Sequence, residues 1–218
     1  MKKRLVIALA LLLLFSTYKP QKLFLNNKFN IKEIKIENNF ILKDADIKRD
    51  LEFLLDVNLI FLNSLDIEKK FKNNDFIESF EIKKIYPNKL KIKIYEKKLL
   101  AILQKKKKKF YISKNINLIN YIDLENYQNL PIVFGDIENF AILHKNLQKI
   151  NFPIEIIKKY YLYESKRWDL ETQKKKIIKL PPKNYIENLE NFMNLKKNIN
   201  FEKYYIFDYR INNQLILK

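Results

Sequence analysis

Apolar and polar positions follow regular periods between residues 29 and 96. The stretch FNIKEIKIENN, residues 29–39, alternates apolar and polar side chains and predicts a strand that ends at two asparagines. Apolar residues from Ile47 to Leu55 recur at i, i+4, i+7 and i+8, the spacing of a helix that buries one face. The elements predicted for this segment are a strand over 29–39, helices over 44–55 and 65–72, and strands over 80–85 and 89–96. The pattern predicts the order β-α-α-β-β.

The remaining residues, 97–218, carry mostly strand patterns. Short apolar runs predict strands over 101–103, 110–112, 116–119 and 154–163, and helical spacing predicts a helix over 138–149. The only tryptophan, Trp168, begins a further strand in which it shares one face with Leu170, while Arg167, Asp169 and Glu171 share the other. We predict that Trp168 is a core residue, because a lone tryptophan in a strand usually anchors packing.

The last stretch, YYIFDYRINNQLILK, has the most regular alternation in the chain. Apolar residues occupy one parity: Tyr205, Phe207, Tyr209, Ile211, Leu215 and Leu217. Polar residues occupy the other: Asp208, Arg210, Asn212, Gln214 and Lys218. This pattern predicts either one long strand or two strands broken near Asn212. A strand in this place is expected at a sheet edge, where free N–H and C=O groups can receive a strand from a partner.

The N-terminal segment combines a basic cluster with an apolar run. Lys2, Lys3 and Arg4 precede apolar residues that start at Leu5, and no small-x-small pair follows the run. The apolar run is short enough for a cleavable signal peptide as well as for an anchor. We favour a retained anchor over residues 5–24, with a cytoplasmic tip at 1–4 and everything after it outside the inner membrane.

Composition excludes several classes of function. The 43 Lys and Arg residues exceed the 25 Asp and Glu residues, but Lys is used everywhere and Gly occurs once, as biased coding would produce. We therefore expect no nucleic-acid partner, and we interpret Lys105–Lys109 as a solvated hairpin tip rather than a phosphate site. Cys is absent and the single histidine, His144, has no second ligand nearby in sequence. No cofactor, metal, small-molecule substrate or catalytic residue is expected.

The closing part of the first segment resembles a POTRA domain. Its basic strand through Lys84, the Tyr86–Pro87 turn, the alternating strand that ends at Glu96 and the following Ala101 match that family's pattern. Together with RWDL, a strand that ends in KLP and the terminal FDYR, it resembles the bacterial division family FtsQ/DivIB. The resemblance implies an α+β protein. Its parts would be a transmembrane helix, a POTRA domain at 29–96 and a β-rich domain at 97–218 with an antiparallel sheet and flanking helices.

The same resemblance implies a non-enzymatic, single-pass scaffold of the division septum that binds FtsB and FtsL-like proteins outside the inner membrane. Carried over by position, it points to Arg167, Asp208, Arg210 and Ile211 as partner-binding residues, while the strand parity adds Asn212 and Gln214. The alternative is another POTRA protein, an outer-membrane assembly or secretion component that binds unfolded clients. An enzyme, such as a peptidoglycan hydrolase with paired carboxylates, is the third possibility, but no motif supports it.

Overall fold

The computed structural model describes residues 2–17, 27–198, 201–211 and 214–218. The chain divides into two compact units, Met1–Tyr95 and Glu96–Lys218. Each unit has its own buried apolar cluster, one between Ile31 and Ile94 and the other between Ala101 and Tyr209. The two units are therefore described one at a time.

The N-terminal apolar segment forms helix α1, Lys2–Thr17. Its described side chains are exposed, and all of them except Lys3 and Ser16 are apolar, which is typical of a helix that does not pack on a soluble core. Residues 18–24 of the expected anchor lie outside the described residues. In the part of the chain that the structure describes, no helix is long and apolar enough to cross a membrane.

The first unit follows the predicted order β-α-α-β-β, which is confirmed. Its elements are β1 Glu33–Glu37, α2 Asp44–Asp50, α3 Ser64–Lys72, β2 Ile77–Ile85 and β3 Lys89–Glu96. The strands lie in the order β1-β3-β2, and β1 runs parallel to β3 with Glu33 opposite Lys89. Apolar side chains on alternate strand positions pack with Ile47, Ile67 and Phe71 of the helices, so the helices cover one face of the sheet. The other face carries charged side chains.

The second unit is a nine-stranded sheet with two helices. Its strands are β4 Leu99–Lys105, β5 Lys108–Ser113, β6 Leu118–Asn120, β7 Ile132–Phe134, β8 Ile157–Leu162, β9 Trp168–Thr172, β10 Ile177–Lys179, β11 Ile206–Asp208 and β12 Ile216–Leu217. The helices are α4 Ile137–Lys149 and α5 Tyr185–Asn198. The strand order is β12-β11-β10-β9-β8-β7-β4-β5-β6. The expected antiparallel sheet is in fact mixed, because β4–β7, β7–β8 and β10–β11 are parallel pairs.

One face of this sheet forms the core with both helices. A single cross-strand row of buried residues runs through Leu103, Val133, Tyr160, Leu170, Ile178 and Phe207. Trp168 is 4% exposed and meets Tyr160 edge to face, with ring centroids 6.5 Å apart. The prediction that Trp168 is a core residue is confirmed. Side chains on the other parity of the strands, including Asp169 and Asp208, lie on the face without helices.

Candidate functional site

The terminal stretch forms two strands rather than one. β11 pairs with β10 on one side and with β12 on the other, so the edge of the sheet is β12. Residues 212 and 213, where the parity is interrupted, lie outside the described residues. The edge predicted for the end of the chain is therefore a strand of two residues that folds back antiparallel on β11.

The hydrogen bonds between these strands show which backbone groups remain open. Ile206 donates to the Lys218 carbonyl at 3.0 Å, and Lys218 donates back to the Ile206 carbonyl at 3.1 Å. Such pairs alternate along an antiparallel ladder, so the next hydrogen-bonded pair is Asp208 with Ile216. The main-chain groups of Leu215 and Leu217 consequently point away from β11. No other described residue bonds to them, and β12 presents an open edge.

A charged row crosses the sheet beside this edge. Lys179 on β10 lies opposite Asp169 of β9 and also opposite Asp208 of β11. Each carboxylate has its own arginine: Arg167 Nε donates to Asp169 Oδ1 at 3.1 Å. Arg210 donates to both oxygens of Asp208, from Nε at 2.8 Å and from Nη2 at 2.6 Å. We name these five residues the charged row.

The two carboxylates of the charged row have opposite pKa shifts. Hydrogen bonds from Arg210 lower the pKa of Asp208 below its usual value, even though the carboxylate is buried. Burial raises the pKa of Asp169, and the neighbouring Arg167 only partly offsets this effect. The arginines cover the carboxylates, which explains why Asp169 and Asp208 are buried on a face that has no helix. The row is therefore a fixed pattern of charge rather than a set of mobile surface groups.

Exposed apolar side chains flank the same edge. Ile211, directly after Arg210, is 51% exposed, and Tyr205 is 60% exposed. Ile216 on β12 is 37% exposed. On the far side of the row, the Arg167 guanidinium stacks over the Tyr163 ring at 4.2 Å from its centroid. An open backbone edge with apolar flanks and fixed charges suits a strand from another chain.

The structure brings most of the predicted site residues together. Arg167, Asp208 and Arg210 belong to the charged row, and Ile211 follows it directly. Asn212 lies outside the described residues. Gln214 is exposed, but its N–H donates to the Ile211 carbonyl at 3.2 Å, so it does not offer a backbone donor at the edge.

Sequence reasoning missed Asp169, Lys179 and Leu217. Asp169 was expected on the solvent side with Arg167, and it does lie on the face without helices, yet it is 4% exposed because Arg167 covers it. Lys179 lies beside both carboxylates only because the strand register places it opposite Asp169 and opposite Asp208. The period-2 pattern places these side chains on one face, but it carries no signal about which strands are neighbours.

No group of three or more His, Asp and Glu side chains among the described residues could hold a metal ion. His144 is buried on α4 and stacks on Phe140, with ring centroids 5.7 Å apart. Burial lowers the pKa of His144, so it is a neutral core residue at neutral pH.

The chain is similar to a known domain family and to several cell-division proteins. The family model for the POTRA domain, FtsQ-type, matches residues 29–97. Cell division protein DivIB of Clostridium tetani is 28% identical over 108 residues, which are 50% of this chain and 40% of that protein. Cell division protein FtsQ of Rickettsia bellii is 27% identical over 171 residues, 78% of this chain and 64% of that protein.

A third relative, cell division protein FtsQ of Agrobacterium fabrum, is 22% identical over 165 residues, 74% of this chain and 52% of that protein. The chain thus spans between 40% and 64% of the length of these relatives. Two of the three alignments extend well beyond the POTRA domain, since they cover about three quarters of the chain. The POTRA match and the division relatives together support the resemblance of this chain to the FtsQ/DivIB family of bacterial cell-division proteins.

Proposed function

We propose that this chain is a non-enzymatic, single-pass scaffold of the division septum that receives a partner strand on β12. The proposed partners are FtsB and FtsL-like division proteins. The proposed layout is a cytoplasmic tip at 1–4, an inner-membrane anchor over 5–24, a POTRA domain at 29–96 and a partner-binding β domain at 97–218.

The open edge of β12 is the observation that carries this proposal. A partner strand laid along β12 would bond to the main-chain groups of Leu215 and Leu217, which have no other partner among the described residues. Main-chain bonding supplies affinity with little demand on the partner's sequence. The sheet would grow from nine strands to ten without disturbing its core.

The charged row gives such a contact its register. Arg210 uses Nε and Nη2 for Asp208, and no described residue accepts a hydrogen bond from its Nη1. The Arg210 side chain is 43% exposed, so this donor group is accessible to an acidic partner residue. An acidic side chain at one position of the partner strand would align with Arg210, while an apolar neighbour would lie against Ile211.

Membrane anchoring through the N-terminal segment is part of the same proposal. The described side chains of helix α1 are apolar except for Lys3 and Ser16, and the basic residues Lys2, Lys3 and Arg4 favour the cytoplasmic side by the positive-inside rule. The domains that follow would then lie outside the inner membrane. A reporter that is active only outside the cytoplasm, fused after Lys218, should be active, and the mature chain should retain residues 1–18.

Site-specific photo-crosslinking in living cells tests the partner site. A photoreactive amino acid in place of Ile211, in the full chain, should crosslink to an FtsB or FtsL-like division protein. The matched control replaces Leu118, an exposed residue on the opposite edge strand β6, and should give no such product. Equal capture from both positions, or capture of outer-membrane clients at Ile211, would overturn the proposal.

A further inference from the structure

The first unit exposes several apolar side chains at one end of its sheet. Phe61 is 71% exposed and Tyr86 is 57% exposed, while Ile60 is exposed and Phe29 is half-buried beside them. We name these four residues the β1-end patch, because they lie at the end where β1 begins and where the turn joins β2 to β3. The proposed division function makes no use of this patch.

Main-chain and aromatic contacts hold the β1-end patch together. Leu59 donates to the Phe29 carbonyl at 2.8 Å, which places the loop before α3 next to the chain that enters β1. The Phe29 and Tyr86 rings meet edge to face, with centroids 6.3 Å apart. Lys84, near the end of β2, donates through Nζ to the Ile60 and Leu62 carbonyls at 3.2 Å each. The four side chains therefore form one surface held in place by backbone contacts.

The surroundings of the patch are mainly basic. Lys28 and Lys32 are exposed on either side of Phe29, and residues 27–32 contain no acid. Two acids border the patch: Asp56, whose N–H donates to the Ile31 carbonyl at 3.0 Å, and Glu33 at the start of β1, which is paired with Lys89 at 2.7 Å. Aromatic and aliphatic side chains ringed by lysine are the combination that binds the boundary between lipid headgroups and acyl chains. Lysine also adds attraction to anionic headgroups.

The covalent chain limits how far this patch can be from α1. Asn27, two residues before Phe29, comes ten residues after Thr17, the last residue of α1. Even a fully extended chain of that length spans at most about 35 Å. If α1 is in the bilayer, the β1-end patch is the end of the POTRA unit that is tied closest to the membrane surface.

We propose that the β1-end patch inserts into the outer surface of the membrane that holds α1, with anionic lipid as its ligand. Phe61 and Ile60 enter the interfacial region, Tyr86 lies at the headgroup level, and Lys28 and Lys32 pair with lipid phosphates. This contact fixes the POTRA unit against the bilayer instead of leaving it on a free tether. The inference rests on the membrane anchoring proposed above.

Fluorescence quenching by spin-labelled lipid tests the contact in the full chain. The chain has no cysteine, so Phe61→Cys allows one fluorophore to be attached at the patch. The matched control is Lys72→Cys at the end of α3, five residues before the start of β2, which places the label at the opposite end of the sheet. Each labelled protein is reconstituted into vesicles that contain anionic lipid and a nitroxide in the acyl chain. Flotation after an alkaline wash reports anchoring separately.

The expected result is flotation of both proteins, loss of fluorescence at position 61 and no loss at position 72. Adding Ile60→Ser and Tyr86→Ser to the labelled Phe61→Cys chain should restore the fluorescence without changing flotation. Replacing the anionic lipid with zwitterionic lipid should weaken the quenching.

Three results would overturn the inference. Flotation without quenching at position 61 removes the patch contact and leaves the anchor intact. Equal quenching at both positions means that the fluorophore inserts by itself. If the label at position 61 is protected from the lipid quencher to an extent that depends on protein concentration, the patch binds a second copy of the chain. A failure to float would instead refute the proposed anchor, and the inference would fall with it.

Discussion

The nine-stranded sheet has two edges, and they differ in what surrounds an otherwise similar backbone. β6 forms one edge and β12 the other. In both, the hydrogen-bonded pairs alternate with residues whose main-chain groups face outward: Leu118 on β6, since Ser113 bonds to Asn117, and Leu217 on β12. Backbone geometry alone therefore does not separate the proposed partner edge from the other edge.

Side chains make the distinction. The β6 edge lies beside the lysine-rich β4–β5 hairpin, where Lys109 covers the Tyr121 ring at 5.2 Å and Tyr121 stacks on Tyr111. Lysine at an edge discourages addition of another strand. The β12 edge has Ile211 and Ile216 exposed beside it, with the charged row behind. Apolar side chains are exposed at both edges, including Leu118 on β6 and Ile216 on β12, so we propose that the local charge selects β12 as the partner edge.

The largest expected effect comes from the core that both edges share. Trp168→Ala removes a buried ring that packs on Tyr160, and it should lower the free energy of unfolding by about 3–5 kcal/mol. Denaturant unfolding of the full chain measures this change. Unchanged stability with lost partner binding would make Trp168 a contact residue. Part of the partner site would then lie on the face of the sheet that packs on the helices.

Proline at Leu217 on β12 and at Leu118 on β6 tests directly whether the two edges differ in partner binding. Leu217→Pro removes an N–H group from the β12 edge and should weaken binding of a synthetic partner segment by more than tenfold, about 1.4 kcal/mol. Leu118→Pro makes the same change on the β6 edge and should leave binding unchanged. Calorimetry with the full chain gives both values.

Leu217 packs partly on the core, so the proline variant needs a control for lost packing. Leu217→Ala shortens the side chain but keeps the N–H, and it should bind nearly normally. Equal loss in the alanine and proline variants would show that packing, not strand addition, holds the partner. Equal loss in both proline variants would remove the difference between the edges.

Reversal of one charge beside β12 should have a smaller effect. Arg210→Glu opposes the proposed acidic partner residue and places a like charge beside Asp208, so binding should weaken by up to about 1 kcal/mol, since exposed ion pairs contribute little. The loss should shrink as salt is added. Lys109→Glu, next to the β6 edge, is the matched control and should not change binding. A larger loss than that of Leu217→Pro would make side-chain charge the main source of affinity.

The smallest expected effects concern the pH dependence of the charged row. The pKa of Asp208 is lowered in the folded chain, so its ionised form stabilises the fold above the unfolded-state value, and this contribution is lost as pH falls through the folded-state pKa. Asp208→Asn should therefore cost at most about 1 kcal/mol at neutral pH, because solvent screens Arg210, and nothing in acid.

Asp169→Asn should show the opposite slope. Burial raises the pKa of Asp169, so the cost of ionising it grows as pH rises from the unfolded-state value through the folded-state pKa. The variant should gain stability relative to the native chain over that range. Urea unfolding at a series of pH values measures both slopes, and parallel slopes would show that the two carboxylates share one environment.

Local periodicity in the sequence predicted the β-α-α-β-β unit and the place of Trp168 in the core, because period 2 and period 3.6 follow from local backbone geometry. It also put Tyr205 and Ile211 on the apolar parity of the terminal stretch, but both side chains are exposed in the structure. Arg167, Asp208 and Arg210 were identified by resemblance, and they lie in one charged row.

Tertiary structure alone decided which strand is the edge and which charges meet. Asp169 and Asp208 are far apart in the chain, and both align with Lys179 only because β10 lies between β9 and β11. The parallel pairing of β10 with β11 and the fold-back of β12 depend on contacts between distant segments, which local periodicity does not encode. The outward-facing main-chain groups of Leu217 follow from that pairing.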